Sequence, residues 1–332
     1  MFARDIGIDL GTANVLIYVR GQGIVLDEPS VVAIDSETKK PIAVGREAHE
    51  MLGKTPGTFE AIRPMKDGVI ANFEITEIML NYFIKKIKAK GLFSRPRVLI
   101  CCPAEITQVE KNAIKEAAER TGAKKVYIAE EAKVAAIGAD MDISKPTGNM
   151  VIDVGGGTTD VAVLSLGSIV TSESIKVAGN KFDTEIAQYI KDKYKLLIGD
   201  KTAEQIKIQI GTVIPGGKKE RMDVRGRDLV TGLPHTLSIT SEEIEEALRE
   251  SVSMIISAAK RVLESTPPEL AADIIENGIV LTGGGALLDG MAEILQQELK
   301  VPVFPAEDPL TCVARGTGIL LNNIHLLENS KL

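Results

Sequence analysis

The stretch Met150-Val-Ile-Asp153-Val-Gly155-Gly156-Gly157-Thr158-Thr-Asp160-Val-Ala-Val-Leu164 decides how the chain is read. An apolar run closed by an aspartate enters a turn of glycine and threonine, and a second apolar run leaves it. Two such runs joined by a tight polar turn predict a β-hairpin. The same shape stands near the N-terminus, where Ile6-Gly-Ile-Asp9-Leu10 leads through Gly11-Thr12-Ala13-Asn14 into Val15-Leu-Ile-Tyr-Val19. Gly21-Gln-Gly-Ile-Val25 follows the first hairpin and Gly167-Ser-Ile-Val170 follows the second at a similar distance. Two matches in register imply an internal duplication.

Working outward, a second repeated unit closes each half. In the first half Val98 to Cys102 reads as a strand and Gln108 to Arg120 as a helix, with Thr107 and Glu110 forming a capping box and Gly122 suited to the left-handed C-terminal position. A strand at Val126 to Ile128 and a helix from Glu131 to Gly138 complete it. In the second half the counterparts are a strand at Gly278 to Thr282, a helix near Gly290 to Leu299, a strand at Val301 to Phe304 and a helix begun by Asp308-Pro309. The expected organisation is α/β: lobe I over residues 1–141 with a small inserted subdomain at about 28–72, and lobe II over 142–332 with one at about 179–240. The second insert carries a helix near Ala203 to Gly211 with a Thr202 and Gln205 capping box. Amphipathic helices follow each insert, with Ile75, Ile78, Met79, Tyr82 and Phe83 marking one apolar face and Ile244, Leu248, Met254 and Ile255 the other.

Composition narrows the function. The 332 residues, 44% of them hydrophobic, can fill two cores, and a net charge of −7 argues against a broad nucleic-acid surface. No apolar run approaches the length that spans a bilayer, and no signal core precedes the first strand, so a cytoplasmic protein is expected. Cys101, Cys102 and Cys312 are the only cysteines, and the adjacent pair lies in an apolar run that reads as a buried strand with reduced core thiols. His49, His235 and His325 lie in unrelated segments without ligand spacing, so neither a zinc site nor a Ser-His-Asp triad is expected.

The chemistry is in the two hairpin turns. A backbone turning tightly through glycine and threonine aims several N–H groups and hydroxyls into one concavity, which suits a phosphate, and two such turns facing each other suit a polyphosphate. Asp9 and Asp153 then stand beside the phosphates, where their charge calls for a hard dication such as Mg2+ held through its hydration shell. Two other glycine motifs fail. Gly53-Lys54-Thr55 resembles the end of a P-loop, but Ala48 replaces the required glycine and Pro56-Gly57 follow where a helix should start. Gly283-Gly284-Gly285 lacks the third dinucleotide glycine, since Leu288 stands there, although three glycines after a strand permit close approach of a ligand.

At this point the chain resembles the superfamily of actin, Hsp70-type chaperones and sugar kinases, and within it the bacterial actin homologues of the MreB type, very close to the Mbl branch. The resemblance spans essentially the whole chain. Its carriers are Asp9 to Asn14, Asn149 to Asp160, Arg63-Pro-Met-Lys-Asp-Gly-Val-Ile70, Thr266-Pro-Pro-Glu-Leu270, Leu281-Thr-Gly-Gly-Gly-Ala286 and Ala306-Glu-Asp-Pro-Leu310. It implies an actin-like ATPase fold that binds ATP, or ADP after hydrolysis. Thr12, Ala13 and Asn14, with Gly11, then hold the phosphates from one side, and Gly155, Gly156, Gly157 and Thr158 from the other. Glu204, Gln205, Ile206 and Lys207, together with Gly284, Gly285, Ala286 and Leu287, match the segments that enclose adenosine. For Glu204 and Lys207 the residues alone favour a solvated helix face. Glu131 matches the acidic residue that orients the attacking water, with Thr158 assisting, so that catalysis is mostly positioning. Two departures stand out: Ala132 replaces the usual proline, leaving the first helical turn less constrained, and Asp140 replaces a small residue, adding charge near the hinge.

Lys90-Gly91-Leu92-Phe93-Ser94-Arg95-Pro96-Arg97 follows a helix end bearing Lys85, Lys86 and Lys88. Lysines complement a helix C-terminus and single exposed apolar residues are common, so the residues alone leave solvated surface and membrane contact both open. The resemblance implies that Leu92 and Phe93 press onto the inner face of the plasma membrane, with too few residues before the first strand for an N-terminal amphipathic helix. It also implies self-assembly head to tail, with protofilaments able to pair, and service to the cell-wall elongation machinery that keeps a rod shape. A sugar-type kinase or an Hsp70-like ATPase shares the loops, but the chain ends soon after its last helix, without room for a peptide-binding domain.

Overall fold

The protein is described here from a computed structural model covering residues 5–87, 95–103 and 106–323. In the first lobe the duplicated runs form β1 (Ile6–Leu10), β2 (Asn14–Val19) and β3 (Gly23–Pro29). The insert follows as β4 (Val32–Asp35), β5 (Pro41–Val44), α1 (Arg46–Met51), β6 (Phe59–Ile62), β7 (Met65–Lys66) and β8 (Val69–Ile70). Then come α2 (Phe73–Lys86), β9 (Arg97–Cys102), α3 (Gln108–Arg120), β10 (Lys125–Glu130) and α4 (Glu131–Gly138).

The second lobe repeats the hairpin as β11 (Asn149–Val154), β12 (Thr159–Ser165) and β13 (Ser168–Ile175). Its insert holds α5 (Gly179–Tyr194), β14 (Leu196–Leu197), α6 (Asp200–Ile210), β15 (Arg221–Asp228) and β16 (Pro234–Thr240). The chain closes with α7 (Ser241–Glu264), α8 (Pro268–Asn277), β17 (Ile279–Thr282), a short 3-10 turn at Gly284–Leu287, α9 (Met291–Leu299), β18 (Val303–Pro305) and α10 (Cys312–Asn322).

The two five-stranded sheets match strand for strand, β10-β9-β1-β2-β3 and β18-β17-β11-β12-β13. In each, the hairpin is antiparallel and the two later strands join it in parallel, as crossover through a helix requires. The register breaks the symmetry at one place. Asp153 pairs across its hairpin with Asp160, whereas Asp9 pairs with Leu16.

Each sheet has an outer core of its own. Ile8, Ile17, Met79, Phe83 and Ile114 belong to one, and Ile152, Val163, Phe182, Ile186 and Leu248 to the other. A third core lies between the sheets and draws on both: Leu99 and Tyr127 from the first, Val151 and Leu164 from the second, with α4 and α10 between them. These two helices approach closely enough that a Cβ on Gly138 would overlap the Cys312 carbonyl, and one on Gly316 the Val134 carbonyl. The last helix also lies on the first sheet, where Gly7 leaves room for Thr317 and Gly318 for the Tyr18 ring. All three cysteines are buried and unpaired, and burial pushes the Cys102 and Cys312 thiols up to about 12, as suits inert core thiols.

Several local expectations change. The Thr107 and Glu110 capping box forms, with the Glu110 N–H donating to Thr107 Oγ1 at 3.2 Å and the Thr107 N–H to Glu110 Oε2 at 2.6 Å. The one expected at Thr202 and Gln205 does not, because α6 starts three residues earlier, capped by the extended Gly199, whose carbonyl accepts from Thr202 and Ala203. The Asp308-Pro309 start is a turn instead: Thr311 Oγ1 donates to Asp308 Oδ2 at 2.7 Å, the Pro309 carbonyl accepts from Gly283 N, and α10 begins at Cys312. The last strand of the second sheet begins at Val303, not Val301. Met254 and Tyr82 are exposed, their places in the buried stripes taken by Val252 and by Thr76 and Leu80.

Candidate functional site: two facing loops and a cluster of carboxylates

The first loop is shaped by local bonds. Ser30 Oγ donates to the Gly11 carbonyl at 2.6 Å and Ser30 N–H to the Ala13 carbonyl at 2.8 Å, while Asn14 Nδ2 reaches Asp27 at 2.9 Å. Gly11 is required here, because a Cβ would come within 2.6 Å of the Asn14 carbonyl oxygen. The second loop closes through Gly155 N–H to the Thr158 carbonyl at 3.0 Å. It also receives the start of α5, where Gly179 N–H donates to Gly155 O at 3.1 Å and Asn180 N–H to Gly156 O at 2.8 Å.

The loops meet face to face. A Cβ built on Gly156 would lie 2.6 Å from the Ala13 Cβ, and one on Gly157 would overlap the Thr12 hydroxyl. Glycine is therefore demanded by the partner loop rather than by backbone angle. A third element joins them: β7 and β8 are linked by Asp67-Gly68, both at positive φ, as a two-residue hairpin turn requires. Gly68 N–H donates to Thr12 Oγ1 at 3.0 Å, and its Cα faces Thr158 and Pro103 so closely that a side chain would clash.

Below the loops stand the carboxylates. Asp153 is buried, and burial, then Asp160 and Asp9, push its pKa up to about 8, with the Thr282 hydroxyl working weakly the other way. Asp9 keeps some solvent contact at the cleft, yet the surrounding protein mass and Asp27 push it up to about 7. Glu131, the first residue of α4, is held well above the usual carboxylate range by burial and then by Asp160, Asp153 and Asp9. Ala132 is buried in the core between the sheets, while Asp140, two residues past the end of α4, is in a left-handed conformation and pairs with Arg315 of α10 at 2.8 Å.

These residues fit a dication. Asp153 Oδ2 is buried without a hydrogen-bond partner among the described residues, and several carboxylates repel one another around one point. Among the described residues no group of three or more ligating side chains forms a closed cage. A dication such as Mg2+, which takes one or two carboxylates and keeps water and phosphate for its remaining positions, would be held there by Asp9 and Asp153.

The segments expected to enclose a base come together at the second loop. Lys207 Nζ donates to the Gly179 carbonyl at 3.0 Å and pairs with Asp183 at 2.8 Å, which ties α6 to the start of α5. The end of α6 is joined to the far end of the 3-10 turn through Val213 N–H to Asp289 O at 2.9 Å. Gly283 and Gly285 lie so close to Val154 that a Cβ on either would clash, so the turn at Gly284–Leu287 sits against the loop strand. Within these segments Ile206 is wholly buried in the core and Gln205 faces solvent, leaving Glu204 and Lys207 on the cleft side. Glu204 Oε2 lies 3.7 Å from His49 Nε2 of the first insert. Leu92 and Phe93 fall outside the described residues.

Sequence reasoning missed Gly68 and Gly179 as neighbours of the loops, Asp183 as the partner of Lys207 and His49 as the neighbour of Glu204. Only Gly68 carried a signal, the Asp-Gly turn flanked by apolar residues.

A sequence model of the MreB/Mbl protein family matches residues 3–329. The chain belongs to the MreB/Mbl family. Over its full length it is 64% identical to the cell shape-determining protein Mbl of Bacillus subtilis (strain 168), with all of both chains covered. It is 52% identical to the cell shape-determining protein MreB of Escherichia coli (strain K12), covering 98% of this chain and 95% of that one. Among solved structures, MreB5 of Spiroplasma citri bound to AMPPNP superposes with a TM-score of 0.94 at 43% identity over the whole of both chains. A MamK double helical filament superposes with a TM-score of 0.83 at 23% identity, over 96% of this chain and 98% of that one. Membership in the MreB/Mbl family makes this chain a bacterial actin homologue with the duplicated actin-like fold described above. No helix among the described residues is long and apolar enough to cross a membrane.

Proposed function

We propose that the chain binds ATP with Mg2+ between its two loops, hydrolyses it slowly, and assembles head to tail into filaments that lie on the inner face of the plasma membrane and organise wall synthesis in a rod-shaped cell. The observation that carries this reading is the face-to-face approach of Gly156 and Gly157 to Ala13 and Thr12 above the paired aspartates. The binding of AMPPNP and of ADP by MreB5 of Spiroplasma citri supports an adenine nucleotide, and the MamK filament supports self-association within the fold.

In this reading the N–H groups of Gly11 to Asn14 and of Gly155 to Thr158 receive the phosphates, each loop belonging to one lobe of the expected division at residues 1–141 and 142–332. Asp9 and Asp153 hold the hydrated ion, whose charge offsets that of the phosphates. Glu131 and Thr158 orient water for in-line attack on the terminal phosphorus, the carboxylate accepting a hydrogen bond from that water, so that catalysis is mostly positioning. Glu204, Lys207 and the turn at Gly284–Leu287 enclose adenosine. Leu92 and Phe93 supply the membrane contact.

Two measurements test this. Titration of a fluorescent ATP analogue should show Mg2+-dependent binding that Asp153→Ala removes; tight binding retained by the variant would refute the metal role. Electron microscopy with ATP and anionic vesicles should show filaments on the vesicle surface, and dispersed monomers under both conditions would overturn the polymer reading.

A further inference from the structure

The small sheet of the second insert, ordered β14-β15-β16, leaves β16 as an outer strand. Side chains alternate along its hairpin: Val224 and Ile239 turn into the core of the second lobe, while Arg221, Asp223, Arg225 and Arg227 turn outward and are exposed. Among the described residues none pairs with the side chains of Arg221, Arg225 or Arg227. On a chain of net charge −7, this face therefore sets three free cations against one carboxylate. Its strand neighbours on β16 are short, with Thr236 opposite Arg225 and Ser238 opposite Asp223. At the tip of the hairpin Leu229, Val230 and Leu233 are exposed.

The two ends of the ladder fix which backbone groups the open edge presents. Ser241 N–H donates to the Glu220 carbonyl at 3.0 Å, and Asp228 N–H to the Leu233 carbonyl at 2.9 Å. Antiparallel pairs alternate between bonded and open, so Met222 with Ile239, Val224 with Leu237 and Gly226 with His235 are bonded. Asp223 with Ser238 and Arg225 with Thr236 are open, and Thr236 and Ser238 aim their N–H and C=O groups away from β15. Pro234 obeys the same parity, since the N–H it lacks would lie on the open side. Thr240 N–H is already taken by Glu243 Oε2 at 3.0 Å. The donors and acceptors of Thr236 and Ser238 thus lie on the open edge, beside the arginines.

We propose that this edge docks an acidic, extended segment of another protein, which adds as a further strand beside β16 and sets its carboxylates against the arginines. Backbone bonds to Thr236 and Ser238 hold the segment, and the charges select it. An added strand lies about 10 Å from β15, a gap that an arginine and a glutamate close between them over the short Thr236 and Ser238 side chains. An apolar residue at the end of the segment meets the exposed tip. A second copy pairing edge to edge would bring two arginine faces together, which like charges oppose. A lipid surface would engage the cations but leave the open N–H and C=O groups unused. The proposal is independent of the nucleotide and membrane readings above.

Fluorescence anisotropy with the full chain and a fluorescein-labelled peptide of four Glu-Val repeats tests this. The wild type should bind the peptide and bind four Lys-Val repeats at least about tenfold less well. Arg221→Ser, Arg225→Ser and Arg227→Ser combined should weaken the Glu-Val peptide by about fivefold or more. Four Glu-Pro repeats carry the same charge but lack half of the backbone donors, and should bind the wild type about fivefold or more weakly than Glu-Val. Ser238→Pro removes an outward N–H at an edge position that accepts proline, so thermal melting should show the fold kept while the Glu-Val peptide is weakened as much. Equal binding of Glu-Pro and Glu-Val repeats would reduce the face to a patch of charge and overturn the proposal, a comparison that stands on the wild type whether or not Ser238→Pro folds. No binding of the Glu-Val peptide, or binding that survives the arginine changes, would overturn it too. Loss of phosphatidylglycerol-vesicle binding, or of a sedimenting dimer, in the arginine variant with peptide binding unchanged would give the face to lipid or to a second copy and equally reject it.

Discussion

At Asp153 the duplication is imperfect, and the imperfection is chemical. Its cross-strand neighbour is Asp160, where the first lobe has Leu16 opposite Asp9, so like charges face each other inside the protein. A carboxyl raised from 3.8 to about 8 on folding binds its proton more tightly in the folded chain. Stability from this group is therefore complete below about pH 4 and declines as the pH rises through about 8, above which the buried charge is fully expressed. Asp153→Asn removes that charge. The nucleotide-free variant at pH 8 should melt at least about 2 °C above wild type in calorimetry, while losing Mg2+-dependent nucleotide binding; equal or lower melting would show that the carboxyl is not strained. Protons and the ion also compete for Asp9 and Asp153, at about 7 and about 8. The affinity for Mg2+, followed by calorimetric titration with ATP present, should climb between about pH 6.5 and about pH 8.5 and level off above.

Among the elements, α4 and α10 form the joint between the lobes, and their contact depends on two missing side chains. Gly316→Ala places a methyl on the Val134 carbonyl, which is helix backbone and yields little. A loss of about 1–3 kcal/mol in urea unfolding is expected, against about 1 kcal/mol for Thr107→Ala at the capping box of α3. Much at this scale was legible in the sequence: the hairpins, the order of strand and helix after each, and the Thr107 and Glu110 cap all follow from local pattern. What escaped has a common cause. The Thr202 and Gln205 box and the Asp308-Pro309 start satisfy the local rule, but Gly199 offers an earlier carbonyl and the Pro309 carbonyl is taken by Gly283, contacts that local pattern does not reveal. At the candidate site the same divide holds. Asp9, Thr12, Gly156 and Asp153 announce themselves by repetition, whereas His49, Gly179 and Asp183 reach the cleft from inserts that the two lobes do not share.

For the whole molecule, the two lobes are joined by a shared core and bridged above by the His49 and Glu204 contact. A ligand held by both lobes stabilises the assembly by mass action: ATP with Mg2+ at about a hundred times its dissociation constant should add about 2.7 kcal/mol, seen as a rise in melting temperature that Asp153→Ala abolishes. The proposed membrane contact is tested by Leu92→Ser with Phe93→Ser, which should leave nucleotide binding intact and remove co-sedimentation with anionic liposomes; undiminished sedimentation would overturn it.

The position of α10 bears on how the chain is made. Gly7 in the first strand meets Thr317, and Tyr18 meets Gly318, about 300 residues later in synthesis. As the N-terminal lobe leaves the ribosome, the face of its sheet that α10 covers is therefore bare, and it stays so until the last helix is released. Until then that apolar surface is open to chaperones or to another nascent chain, so the finishing of the first lobe is timed by the synthesis of α10 rather than by its own length.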